Sequence, residues 1–390
     1  MFTLKVGVVI FMTETARRVN DMHSKFGYFY LLANKPGVIN LGVGEPGFDT
    51  PPHIIEAAYE AMKKGYTHYA PSQGIPELRK AVADKENRMY GAKLAEKDIL
   101  ITIGAKEGIY LAIQAYLNPG EEVLVPDPGW VSYIQIAKSA EGRAVAYNAE
   151  GVPDIAEIEN KITPKTKMII INTPHNPAGV VYPKKFLEVL GELAQKKGII
   201  VVSDEPYDEM IYEGAHHSIG AMFPENTITM NSTSKTYAMT GWRVGYAATK
   251  APSSIEKMLN LQTHIISGVT TFAQHGAVTA YNGPQDCVKE MTAAYKNRRD
   301  ILAAGLDKQY FRFNIPQGTY YMFADVSATG AKDGMEFATK LVEKNVAAVP
   351  GEFFGENCRQ FVRFTFSQKE DDLKTAIGRI NEQAREMAGK

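Results

Sequence analysis

The sequence predicts an α/β protein: a three-layer α/β/α large domain on a mainly parallel sheet, plus a smaller α+β domain formed by the two chain ends. Three observations carry this. Short, nearly continuous apolar runs recur through the middle of the chain, as in strands buried on both faces. Helical segments separate most of these runs, which is the alternation of βαβ units. Beyond Asn282-Gly283-Pro284 the pattern changes to a long polar helix and scattered strands. That turn sets the expected division, 47–283 for the large domain and 1–46 with 284–390 for the small one.

The first patterned stretch, 40–50, reads Asn-Leu-Gly-Val-Gly-Glu-Pro-Gly-Phe-Asp-Thr. Its glycines let the backbone approach a ligand closely, although Gly42 and Gly44 alone would serve a plain turn. Pro51-Pro52 opens a helix that Gly65 stops, and a second helix runs over 76–90 until Gly91. Between them, 66–73 is a polar, aromatic loop. Strands are expected at 99–103, 123–125, 144–147, 168–172, 199–203, 227–230 and 244–248. Helices such as 109–117 and 184–197 lie between them. After the 282–284 turn come a helix to about 307, a strand at 320–323, a helix at 334–344 and a strand at 361–366. Residues 6–12 are almost wholly apolar, yet too few to span a bilayer and without a basic lead. They read as an extra strand or a disordered extension, with Met12 a candidate start.

Composition excludes several classes. With 390 residues, 45% hydrophobic and 22% charged, the chain has ordinary globular usage and room for two domains. A formal net charge of −1 makes no electrostatic case for nucleic acid or an acidic membrane. Two cysteines, Cys287 and Cys358, make no disulfide framework, so a reducing cytoplasm is expected. There is no phosphate-binding Walker loop, and His216-His217 lacks metal-ligand spacing, so no metal is expected.

Ligands of open parallel sheets sit beyond the carboxyl ends of the strands. The densest polar set there is 231–245, Asn-Ser-Thr-Ser-Lys-Thr-Tyr-Ala-Met-Thr-Gly-Trp-Arg-Val-Gly. Most lysines are solvated, but Lys235 stands at a strand end among hydroxyls, with apolar residues soon after. Held there, its pKa can be lowered, and the amine can attack an aldehyde. Ser232, Ser234 and Arg243 could grip a phosphate monoester beside it. Aldehyde and phosphate together point to pyridoxal 5'-phosphate. Gly104-Ala105-Lys106 opens a helix whose free N–H groups suit a phosphate, or is simply a tight turn. Trp130 offers a flat face to an aromatic ring, or belongs to the core. Asn176, held extended before Pro177, is free to hydrogen-bond a ring oxygen, or lies in a plain loop. Asp204 ends a buried strand just before Glu205-Pro206-Tyr207. A carboxylate there needs a cationic partner, either a pyridinium nitrogen or a structural ion pair.

Taken together, these motifs resemble the class I/II aminotransferases of the aspartate aminotransferase superfamily. These are the fold type I pyridoxal-phosphate enzymes, and the chain is most similar to their bacterial and archaeal branch. The resemblance runs from about Gly37 to Phe366 in family order. It implies that Lys235 bonds the cofactor aldehyde and then moves the proton, while Asp204 pairs with the pyridinium nitrogen. Asn176 and Tyr207 would hydrogen-bond the ring oxygen, and Trp130 would stack on the ring. Backbone at Gly104, Ala105 and Lys106, with Ser232, Ser234 and Arg243, would hold the phosphate. Arg363, in Phe361-Val362-Arg363-Phe364, matches the arginine that forks the substrate α-carboxylate, with Gly44 as a backbone contact. Trp130 and Asn176 would meet substrate as well. Tyr69, in Thr67-His68-Tyr69-Ala70-Pro71, matches a tyrosine reaching the cofactor phosphate of another subunit, which implies a homodimer with shared sites. Two departures stand out. Ala178 replaces a common threonine, and Glu205-Pro206 replaces Glu followed by an aliphatic residue, which bears on how Tyr207 is presented.

The implied activity is ping-pong exchange of an amino group between an L-amino acid and a 2-oxo acid. In relatives that resemble this chain, a lysine matching Lys106 helps bind the distal carboxylate of acidic substrates. Aspartate is therefore the expected donor, with glutamate and 2-oxoglutarate as the partner pair. Alanine, broad or aromatic specificity is the alternative. A C–S β-lyase would use the same cofactor and lysine. A transcription regulator built on this domain would need an added basic module, and roughly forty residues before the first motif leave no room for one.

Overall fold

The computed structural model describes residues 15–20, 22 and 35–389, so the expectations for 6–12 lie outside the described residues. Strand β1 (Ile39–Asn40) pairs far along the chain. Strands β2 (Ile99–Thr102), β3 (Glu122–Asp127), β4 (Arg143–Asn148) and β5 (Thr166–Asn172) belong to a seven-stranded sheet. It is completed by β6 (Ile200–Asp204), β7 (Thr227–Ser232) and β8 (Gly245–Ala248), in the order β2-β8-β7-β6-β5-β3-β4. Pairing is parallel from β7 across to β4, whereas β8 runs antiparallel to both its neighbours. The mainly parallel sheet stands as predicted.

Alternation along β5 explains the three layers. Ile169 and Ile171 join the apolar cluster of the helix Lys184–Lys197, while Met168 and Ile170 join that of the helix Ala105–Tyr116. Burying each such side chain is worth about 1.5–3 kcal/mol, so neither face can be left to solvent. The helices Pro76–Tyr90 and Lys184–Lys197 keep their predicted bounds. Gly91 and Gly198 close them at φ 69° and 67°, a left-handed cap that a side chain would strain. The helix after β2 starts at Ala105, ahead of the apolar run 109–117 and in keeping with Gly104-Ala105-Lys106 as its opening, and Gly104 at φ 85° makes the turn out of the strand.

Register gathers the strand ends. Asn172 stands opposite Asp204, and Asp204 opposite Met230, so β5, β6 and β7 emerge at one edge. Antiparallel β8 begins at that same edge, with Gly245 between Thr102 of β2 and Ser232 of β7. A parallel strand would have begun at the far edge. The inserted β8 therefore seats its own start, with Arg243 just before it, between the Gly104 turn and Ser232.

The remaining strands are β9 (Arg312–Phe313), β10 (Tyr321–Asp325), β11 (Val346–Ala347), β12 (Val349–Pro350) and β13 (Phe361–Thr365). They form a four-stranded antiparallel sheet, β12-β13-β10-β9, while β1 pairs in parallel with β11. Leu41, next to β1, enters the apolar cluster of Tyr320, Phe337, Phe364 and Phe366, so both chain ends share one core. The helix Glu370–Met387, packed on the helix Asp286–Gly305, was not anticipated. Nor were β9, β11 and β12, whose 2 residues each are too short to carry a period. Among the described residues, no helix is long and apolar enough to cross a membrane.

Candidate active site

A cavity of about 750 Å³ opens where the ends of β5, β6 and β7 meet the Gly104 turn, the 42–45 loop and β13. Every predicted site residue lines it except Tyr69, which stands outside it and is 93% exposed.

Asp204, the last residue of β6, is only 6% exposed. Tyr133, from the helix Ser132–Ser139, donates its hydroxyl to Asp204 Oδ2 at 2.6 Å, while the equally buried Oδ1 has no partner among the described residues. Burial pushes the carboxyl up to about 7, against the Tyr133 hydrogen bond, which pulls it down. One satisfied oxygen and one orphan at a cavity wall make a socket for an N–H donor. Tyr133 was missed by sequence reasoning, since nothing local marks a tyrosine that meets another strand's end.

Beyond β7, Ser232 Oγ accepts the Ser234 N–H at 3.3 Å and so caps the single turn Thr233–Thr236 that presents Lys235. Lys235 Nζ donates to the Gly44 carbonyl at 2.6 Å, and burial holds its pKa below the usual lysine range. A Cβ on Gly44 would lie 2.2 Å from Tyr321 Oη, so any side chain here would push that hydroxyl aside.

Arg243 precedes β8 and is braced beside the helix Ala105–Tyr116. Its Nη1 donates to Thr240 O at 2.8 Å and its Nη2 to Ile103 O at 2.9 Å. A Cβ at Gly104 would come within 2.7 Å of Arg243 Nη2. Arg243, the Ser232 and Ser234 hydroxyls and the first-turn N–H groups of that helix thus line one wall. Lys106 Nζ stands 4.7 Å from the Trp130 ring centroid. Partial burial and the charges of Arg243 and Lys235 lower its pKa.

Arg363 on β13 is 3% exposed and reaches in from the smaller sheet. It donates from Nη1 to Asn176 Oδ1 at 3.0 Å and from Nη2 to Gly42 O at 2.7 Å, and its buried Nε has no partner among the described residues. Arg363 occupies the Asn176 Oδ1, and the Asn176 backbone N–H donates to Asn172 Oδ1 at 2.7 Å. The side-chain amide NH₂ remains as its donor. Tyr207 lines the cavity despite Pro206, with its hydroxyl 3.0 Å from Tyr321 Oη. Burial pushes the Tyr207 phenol up, so it stays an intact O–H. Tyr321, whose ring centroid lies 4.1 Å from the Arg363 guanidinium, was read only as part of a strand. Alternation could not have singled it out, since Tyr320 beside it is equally buried and donates its hydroxyl to the Gly44 carbonyl at 3.0 Å.

The family model for aminotransferase class I and II matches residues 36–380. A probable aspartate aminotransferase of Methanocaldococcus jannaschii is 43% identical over 351 residues, covering 88% of this chain and 92% of that protein. The aspartate aminotransferase of Pyrococcus horikoshii is 40% identical, over 88% of this chain and 90% of that protein. Among solved structures, the aspartate aminotransferase of Thermus thermophilus with maleate superposes at a TM-score of 0.91 and 37% identity, covering 95% of this chain and 100% of its own. An alanine aminotransferase of Pyrococcus furiosus superposes at 0.91 and 33% identity, covering 96% and 100%. With a family model matched over most of its length and relatives this similar, the chain is a transaminase and belongs to the aminotransferase class I and II family.

Proposed function

We propose that this transaminase uses pyridoxal 5'-phosphate and exchanges amino groups between an acidic L-amino acid, aspartate first, and 2-oxoglutarate. It would act as a cytoplasmic homodimer with shared sites. One observation carries the cofactor reading: the orphaned Asp204 Oδ1 shares a cavity with the Lys235 amine and the Gly104–Arg243 wall. The residues fit the group. Asp204 Oδ1 would accept the pyridine N–H, and the Asn176 amide and Tyr207 hydroxyl would donate to the ring oxygen. Ser232, Ser234, Arg243 and the N–H groups of Ala105 and Lys106 would hold the phosphate, with Trp130 over the ring face. When bound, pyridoxal phosphate supplies an electron sink for the substrate α-carbon.

The chain does the rest. Lys235, its pKa lowered by burial, is the base that takes the α-proton and returns it as an acid. Arg363 forks the α-carboxylate and fixes the orientation of the α-carbon. Lys106, beside Trp130, can meet a side-chain carboxylate. Relatives named aspartate aminotransferases, and one solved with maleate, a dicarboxylate, support that choice. The alanine aminotransferase neighbour makes alanine the second donor to test. No observation favours C–S lysis. The 47–283 division from 1–46 with 284–390 is part of the proposal, supported by the pairing of β1 with β11. Exposed Ile55, Tyr59, Met62 and Tyr66 near Tyr69 support a second copy covering that surface. Two free cysteines support the cytoplasmic placement.

The test is a donor panel with 2-oxoglutarate after titration of the cofactor-free protein with pyridoxal phosphate. Aspartate should give oxaloacetate and glutamate fastest. Ammonia with pyruvate as products would overturn the transamination reading, and alanine as the best donor would overturn the acidic one.

A further inference from the structure

Behind the turn that carries Asp204 and Tyr207 lies a buried ion cluster whose members do not line the cavity. Lys85 and Glu86, on the inner face of the helix Pro76–Tyr90, are each 2% exposed. Lys85 Nζ donates to Asp208 Oδ2 and, at 3.3 Å, to Glu86 Oε1. Asp208 Oδ2 also accepts the Tyr90 hydroxyl at 2.9 Å, and the Tyr246 hydroxyl donates to Glu86 Oε1 at 2.6 Å. Glu205 is wholly buried. Its Oε1 accepts from Ser203 Oγ at 2.6 Å and Ser218 Oγ at 3.1 Å, and its Oε2 meets His216 Nε2 at 2.9 Å. The Tyr90 and His216 rings touch in a T-shaped contact at 5.4 Å, joining the two halves.

Stability alone does not account for such a cluster, since an apolar filling of the same volume is often as stable or more so. Geometry does. Within five consecutive residues, Asp204 and Tyr207 face the cavity while Glu205 and Asp208 are anchored behind it. Short backbone bonds make the segment one piece, with Asp208 N–H on Glu205 O at 3.2 Å and Met210 N–H on Tyr207 O at 2.9 Å. Burial alone would pull the Lys85 ammonium down, but Asp208 and its neighbours hold it well above the usual lysine range, so the anchor stays charged.

We propose that the Lys85–Asp208 and His216–Glu205 pairs are positioning devices for this turn, setting where Asp204 meets the cofactor ring nitrogen and Tyr207 the ring oxygen. Lys85 and His216 act through the turn and touch no ligand. The inference rests on the cofactor reading above.

The test compares wild type with Lys85→Met, which keeps chain length and removes the charge, and with Lys85→Arg and Tyr90→Phe. Amide hydrogen exchange over 203–210 is read on cofactor-free protein, then pyridoxal phosphate affinity by absorbance, then kcat and KM. Lys85→Met should speed exchange in that segment by about 100-fold and weaken cofactor binding by about 10-fold or more, because a buried pair has lost one partner. It should lower kcat with less than about a threefold change in the amino acid KM, since Arg363 and Lys106 lie outside the network. Lys85→Arg should recover most of the loss, and Tyr90→Phe should give the same pattern more weakly. A lower unfolding midpoint with exchange over 203–210 and cofactor affinity unchanged would overturn the inference alone. If Lys85→Met does not fold, Tyr90→Phe and His216→Gln decide by the same readouts. Wild-type protein that binds no pyridoxal phosphate would overturn the functional reading, and this inference with it, before any variant is made.

Discussion

Replacing Asp204 by Asn removes a titration that the fold itself has displaced. In the cofactor-free protein, burial lifts this carboxyl from 3.8 to about 7. Between those values the folded state binds a proton that the unfolded state has released. The contribution of this group to stability is therefore greatest at low pH and is lost as pH rises through about 7. From pH 5 to pH 8 this one group should cost the cofactor-free wild type roughly 2.5 kcal/mol. Asp204→Asn has nothing to titrate there and should lose that part of the slope. Urea unfolding of both cofactor-free proteins at pH 5 and pH 8 measures the difference. Adding pyridoxal phosphate should flatten the wild-type slope, because the ring N–H pairs with Oδ1 and stabilises the carboxylate. In the loaded enzyme, losing one side of that buried pair costs about 3–5 kcal/mol, or roughly a hundredfold or more in kcat. Equal pH slopes in the two proteins, or near-wild-type turnover in Asp204→Asn, would refute the reasoning and leave Asp204 a structural carboxyl.

Four further outcomes follow from the same geometry. Lys235→Ala should fold but give none of the visible absorbance of covalently bound cofactor; a normal band in that variant removes Lys235 from the chemistry. Lys106→Ala should slow aspartate and glutamate by about 30- to 1000-fold, the worth of a desolvated charge pair, and alanine far less. The same loss for every donor would remove the acidic-substrate reading. Tyr133→Phe takes away the hydrogen bond that lowers the Asp204 pKa. The acid limb of kcat/KM should then move up by about one unit, and an unmoved limb would mean that Asp204 does not govern it. Sedimentation should find a dimer at working concentration, and Tyr69→Phe should weaken cofactor binding; an active monomer contradicts shared sites.

By itself the sequence determined what is set within a few residues. The helices Pro76–Tyr90 and Lys184–Lys197 were readable to their ends, because proline starts and glycine stops act locally. The strand runs that end in Asn172, Asp204 and Ser232 were readable because a strand buried on both faces must be apolar along its length. The motifs at those ends also marked the residues that line the cavity. Tertiary structure alone decided who faces whom. That β8 would enter antiparallel and seat Arg243 beside Gly104 depends on sheet order, which no local period encodes. Tyr133 on Asp204 and Arg363 on Asn176 are contacts across 71 and 187 residues, set by strand register and by the approach of the smaller sheet. Lys85 reads as any surface lysine until the helix that bears it packs against the 204–208 turn. A buried charge is defined by its partner, and the partner lies 123 residues away.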